Sequence, residues 1–184
     1  LYDYSGSLLY EGGFLMEMYS GLGELYYPDG TLQYQGNFEM NQYSGNGILY
    51  YEAGGTQYDG AFVKGLYEGK GESFFPDGTL EYKGDFEQGK YNGKGSLYTE
   101  DGELLYEGEF ADGLYDGSGV LYQDGRKLYE GGFKKGEYDG EGTLYDENGE
   151  VEAEGTFSGG ALSGGDTALE DEEGNVIYEG GVVD

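Results

Sequence analysis

The chain has 184 residues, with Gly 40 and Tyr 22 but no Cys, His or Trp, and a formal net charge of −29. The missing cysteine excludes disulfides and thiolate chemistry, and with histidine also absent any nucleophile would depend on an Asp, Glu, Tyr or Lys base. No apolar run approaches the roughly 20 residues of a membrane-spanning helix, and no signal-peptide pattern is visible.

Leu1-Tyr2, Gly6 and Leu8-Leu9-Tyr10 read as the back half of a repeated unit, so the chain is expected to begin mid-unit, as a piece of a longer protein. Tyr-x-Gly-x-Phe then starts at Tyr10, Tyr34, Tyr58, Tyr82, Tyr106 and Tyr129, and weakens to Ala153–Phe157 and Tyr178–Val182. Successive starts are 24, 24, 24, 24, 23, 24 and 25 residues apart. A fixed period in this range marks an array in which each unit is one supersecondary element.

Within the unit Leu80–Asp101, Leu80, Tyr82, Gly84 and Phe86 alternate with Glu81, Lys83 and Asp85. That is the period of a strand with one apolar and one polar face. After Glu87-Gln88-Gly89-Lys90, Tyr91, Gly93, Gly95 and Leu97 alternate with Asn92, Lys94, Ser96 and Tyr98, which predicts the second strand of a hairpin. Asp29-Gly30, Asp77-Gly78, Asp101-Gly102, Asp124-Gly125 and Asn148-Gly149 are expected as two-residue turns into the next unit, with Gly54 and Gly174 in the same place. Gly65, Gly89, Gly113, Gly136 and Gly160 mark the hairpin loops, where Glu17 and Asn41 stand in the first two units. No stretch has helical periodicity.

Each second strand carries two glycines, as in Gly69/Gly71 and Gly93/Gly95. Glycine weakens a strand interior, so a packing reason is expected: two glycine rows on which neighbouring aromatic rings lie flat. Such a sheet covers its own apolar face without a second layer.

This pattern resembles the MORN repeat family, whose units read approximately Tyr-x-Gly-x-Phe, a short loop, then Tyr-x-Gly-x-Gly. The best copy here runs from Tyr82 to Gly95, and the resemblance covers essentially the whole chain. It implies an elongated, curved single-layer sheet that binds partner segments or self-associates. The family name refers to membranes, a role that not every member shares. Ala153, Leu162, Asp166 and Ala168 depart from the usual Tyr, Tyr, Gly and Leu.

The fold expected is all-β: an elongated, gutter-shaped antiparallel meander of about seven hairpin repeats, with roughly 15 strands and a length near 70 Å at the usual strand spacing. Residues 1–184 form one array, with 1–9 a partial repeat and 153–184 degenerate capping repeats.

All nine Lys and Arg fall between Lys64 and Lys135, while residues 1–63 and 136–184 carry acids alone. This distribution solubilises the sheet and repels nucleic acid and anionic lipid. The Gly-x-Gly pairs run on into strands, not into the helix that a phosphate loop requires. No EF-hand or RTX calcium loop is present: Asp146-Glu147-Asn148-Gly149 places its glycine too early, and Glu170–Gly174 lacks alternation. Neither a cofactor, a dedicated metal site nor an enzymatic role is expected.

The candidate binding surface is an aromatic gutter of Tyr34, Phe38, Tyr58, Phe62, Tyr82, Phe86, Tyr106 and Phe110, since a one-layer sheet leaves such a strip partly open. A second row on the other face offers Tyr50, Tyr98 and Tyr122 as secondary candidates, alongside Tyr26, Phe74 and Tyr145. The partner expected is a basic or amphipathic protein segment, or a second copy of the chain. The rival readings are a bacterial cell-wall or glycan-binding module, which the absence of Trp disfavours, and a membrane-apposed spacer. A bacterial, cell-surface or tethered setting through regions outside this sequence suits the acidic, cysteine-free composition.

Overall fold

The computed structural model describes residues 1–164, together with the backbone of Ala168–Glu170 and Val176–Glu179. Asp166, Gly174 and Gly180–Val182, which the repeat reading singled out, lie outside the described residues. Backbone contacts group the chain into two units, Leu1–Tyr91 with Glu100–Gly102, and Asn92–Thr99 with Glu103–Asp184.

In the first unit the strands are β1 (Tyr10–Leu15), β2 (Met18–Tyr26), β3 (Leu32–Glu39), β4 (Gln42–Tyr50), β5 (Thr56–Val63), β6 (Leu66–Phe74) and β7 (Leu80–Glu87). Each pairs antiparallel with its sequence neighbour in that order. In the second unit β8 (Lys90–Tyr98, whose first two residues belong to the first unit), β9 (Leu104–Ala111), β10 (Leu114–Gln123), β11 (Arg126–Lys134), β12 (Glu137–Tyr145), β13 (Val151–Ser158) and β14 (Ala161–Gly164) repeat the same meander. β15 (Ala168–Glu170) and β16 (Val176–Glu179) form a separate pair. The fold is all-β and antiparallel, with no helix among the described residues.

The two kinds of turn exchange the roles expected of them. Hairpins within a repeat close on two residues, both left-handed, as in Lys64 (φ 51°) and Gly65 (φ 81°) between the paired Val63 and Leu66. Glu17 takes the same conformation at φ 65°, as Asn41 does at φ 66°. At Asp29-Gly30 only the glycine is left-handed: Tyr27 N–H donates to Thr31 O and Gly30 N–H to Tyr27 O, giving a three-residue loop. The Asp29 carboxylate accepts from Thr31 N–H at 2.8 Å and fixes this turn. Asp77-Gly78 and Asn148-Gly149 behave alike. Asp124-Gly125 is the exception, a true two-residue turn between Gln123 and Arg126. It is one residue shorter than its counterparts, and it falls in the one 23-residue step.

The register also corrects the glycine reading. One glycine row runs through paired positions Gly12–Gly23–Gly36–Gly47–Gly60–Gly71–Gly84 in the first unit. Gly95–Gly108–Gly119–Gly131–Gly142–Gly155 forms its counterpart in the second. These are the shelves for tyrosine rings. The other glycine of each pair serves the backbone: Gly69, at φ 63°, lies in a bulge where β6 carries two residues with no opposite on β5. A Cβ there would touch nothing within 4 Å.

A Cβ added to Gly60 would meet Tyr58 Oη at 2.5 Å and the Gly71 Cα at 2.8 Å, neither of which can withdraw. We therefore expect Gly60→Ala to cost about 3 kcal/mol or more through overpacking. Gly69→Ala should cost only the roughly 1–2 kcal/mol of a left-handed alanine. Urea unfolding of both variants checks the order, and a costlier Gly69→Ala would refute the shelf.

Candidate partner-binding face

The face is built from one cell repeated along each unit. Tyr34 on β3 folds back across its own strand, so that its ring covers Gly36 and Gly47. Its hydroxyl donates to Asn37 O at 3.0 Å, three residues on. Tyr58, Tyr82, Tyr106 and Tyr129 repeat this bond to the carbonyls of Ala61, Asp85, Glu109 and Gly132. Above Tyr34 lies Tyr43 of β4, stacked at 3.9 Å between centroids with planes 13° apart. Phe38 and Phe62 close the cell edge-on at 5.0 and 5.3 Å, close to perpendicular to the Tyr34 ring. Offset stacked and edge-to-face contacts are the arrangements favoured by the ring quadrupole, each worth about 0.5–1.5 kcal/mol beyond area burial.

Phe62 belongs to two cells at once. It also stands edge-on to Tyr58 at 5.0 Å, while Tyr58 stacks on Tyr67 at 3.8 Å. Phe38, Phe62 and Phe86 in the first unit, and Phe133 and Phe157 in the second, each thereby lock one repeat to the one before it. Phe14 on β1 has only Tyr10 and Tyr19 beside it and is half exposed.

The eight expected gutter residues come together within their units, as the packed floor. Tyr34, Phe38, Tyr58, Phe62, Tyr82, Phe86, Tyr106 and Phe110 are 0–3% exposed. What solvent meets is the row stacked over them: Tyr19, Tyr43, Tyr67, Tyr91, Tyr115 and Tyr138, all half-buried. Alternation places Tyr91 on this face, but the ring order depends on the fold-back of Tyr82, which sequence spacing does not encode.

Tyr50, Tyr98 and Tyr122 are half-buried. Tyr50 lies on the polar face, where burial and the charges of Asp59 and Glu24 raise its hydroxyl pKa. The Tyr50 carbonyl accepts from Tyr27 Oη at 2.8 Å, a clamp between neighbouring loops repeated by Tyr51 on Phe74 O at 2.7 Å. Elsewhere that face carries cross-strand polar pairs: Gln35–Glu24 at 2.9 Å, Lys83–Glu72 at 2.9 Å and Lys70–Asp85 at 3.1 Å. Exposed pairs of this kind contribute little to stability. Among the described residues no group of three or more Asp or Glu is arranged to hold a metal ion.

MORN repeat models match residues 34–56, 58–80, 82–103, 106–125 and 129–151, and a MORN repeat variant matches 19–40. The chain belongs to the MORN repeat family. No curated protein matches it closely enough to report. MORN repeats are generally non-catalytic modules for protein or membrane interaction, and each matched repeat contributes one aromatic cell.

Burial is the main cause that pushes the hydroxyls of Tyr34, Tyr43, Tyr67 and Tyr91 from 10.0 up to about 12. A tyrosine whose folded pKa is raised stabilises the fold fully below its unfolded pKa and ceases to do so as pH passes the folded value. We expect the sheet to lose stability between pH 10 and about 12, with tyrosinate absorbance and far-ultraviolet circular dichroism changing together. Complete tyrosine ionisation near pH 10 with the sheet intact would contradict the packing described.

Proposed function

We propose that this MORN array is a non-catalytic protein–protein interaction scaffold, which binds an extended or amphipathic partner segment along the aromatic face. The observation that carries the reading is the outer tyrosine row. Each unit holds half-exposed, amphipathic rings at one-repeat intervals on a floor of interlocked aromatics, and no second layer covers them among the described residues. Rigid tyrosines on a pre-packed floor lose little entropy on binding, and rings with a polar tip suit protein contacts. The hydroxyls supply hydrogen bonds, and the rings supply apolar area at regular spacing. A net charge of −29 favours a basic segment over anionic lipid or nucleic acid.

Replacing Tyr43, Tyr67 and Tyr91 by serine removes the contact row and leaves the glycine-seated floor. Titration with a leucine–lysine amphipathic peptide, followed by tyrosine fluorescence, should show affinity falling about tenfold or more. Tyr50→Ser, Tyr98→Ser and Tyr122→Ser on the secondary candidates should change it little. Full retention by a folded variant of the first set would refute the reading, and loss by the second set would move the site to the other face.

A further inference from the structure

The aromatic face of the first unit departs from its repeat at one rung. Leu25 and Leu49 lie opposite the shelf tyrosines Tyr34 and Tyr58, but Ser73 lies opposite Tyr82. The residue just before the shelf tyrosine runs Leu9, Gln33, Gln57 and Glu81, a carboxylate only at the last, where it lies unpaired in a bulge. Both departures fall on the same pair of strands and touch: Ser73 Oγ donates to Glu81 Oε2 at 2.9 Å. Ser73 is 5% exposed, whereas Glu81 is half-buried. Tyr91 Oη hydrogen-bonds to Ser73 and to Glu81. Burial raises the hydroxyl pKa of Tyr51, Tyr67 and Tyr91, and the nearby Glu81 carboxylate adds to the rise in all three.

We propose that Glu81, held by Ser73 and flanked by Tyr67 and Tyr91, seats one cationic side chain, a lysine or arginine, of the partner segment. The assignment rests on the reading of the aromatic face as partner-binding, and it names the chemistry that fixes the partner's register. Packing alone calls for leucine at position 73, as at the equivalent rungs, and a carboxylate among rings loses hydration that the Ser73 and Tyr91 hydroxyls replace only in part. Among the described residues no lysine or arginine forms an ion pair with it: Lys83, the nearest in sequence, pairs with Glu72, and Lys70 with Asp85. A carboxylate accepts several hydrogen bonds, and the electron-rich ring faces attract a cation at the same place. An ammonium or guanidinium group satisfies both.

Two probes test this: an apolar β-forming peptide with a single central lysine, and its counterpart with norleucine at that position. The whole chain is titrated with each as wild type, as Glu81→Gln, and as the double variant S73L/E81L, which gives this rung side chains found at other rungs (Leu49, Leu105). Wild type should prefer the lysine peptide by about tenfold. Both variants should lose that preference while binding the norleucine peptide as well as before or better. Glu24→Gln on the opposite face should keep the preference, which separates a seat from general attraction to an acidic protein. Equal binding of both peptides by wild type, or a preference that survives in Glu81→Gln, overturns the seat and leaves the partner-binding face standing. Binding of neither peptide overturns both.

Discussion

A tyrosine ring pressed onto two facing glycines is the contact on which the rest of the structure depends. Tyr58 shows its three parts: bare backbone at Gly60 and Gly71 beneath the ring, a hydroxyl bond to Ala61 O at 3.1 Å, and Tyr67 stacked above. A sheet ordinarily buries its apolar face against a second layer of structure. Here the second layer is made by the strand's own side chains, which lie down where a Cβ would hold them up. The hydroxyl bond matters because a buried Tyr Oη without a partner would cost about 1–3 kcal/mol. The fold-back therefore satisfies the polar tip and buries the ring in one movement.

From that contact follows the division between structure and surface. Once Tyr34, Tyr58 and their equivalents are spent on the floor, Phe38 and Phe62 fill the gaps between cells, and the tyrosines at the start of each second strand meet solvent. Each unit thus offers a regular row of amphipathic rings on a packed aromatic floor. The same logic makes Ser73 and Glu81 informative. Where the rungs before it carry Leu25 and Leu49, a serine bonded to a carboxylate marks one rung at which a partner can be told its register.

Much of the fold was legible because the period is nearly constant and the alternation clean. Tyr82, Gly84 and Phe86 share one face as their spacing requires, and the hairpin meander follows. Three things were not legible. The depth order of two tyrosines on the same face, Tyr82 below and Tyr91 above, is set by a side-chain fold-back, not by alternation. The roles of the paired glycines differ because Gly71 faces Gly60 across the ladder while Gly69 lies in a bulge, and a one-residue periodicity count cannot see a bulge. The Asp-Gly dipeptides suggested two-residue turns, but Pro28 and the Asp29 carboxylate favour the three-residue form, in which only Gly30 is left-handed.

The most direct test of the central contact is a double-mutant cycle between Tyr58 and Gly71. An added Cβ at Gly71 has only Tyr58 ring atoms among its three nearest neighbours, so removing the ring should remove the clash. Unfolding free energies are measured for Gly71→Ala, Tyr58→Ala and the pair. If the ring is seated on the glycine, Gly71→Ala is strongly destabilising in the native background and close to neutral once Tyr58 is alanine. Additive costs, with Gly71→Ala equally harmful in both backgrounds, would show that the glycine serves the strand alone and that the ring does not rest on it.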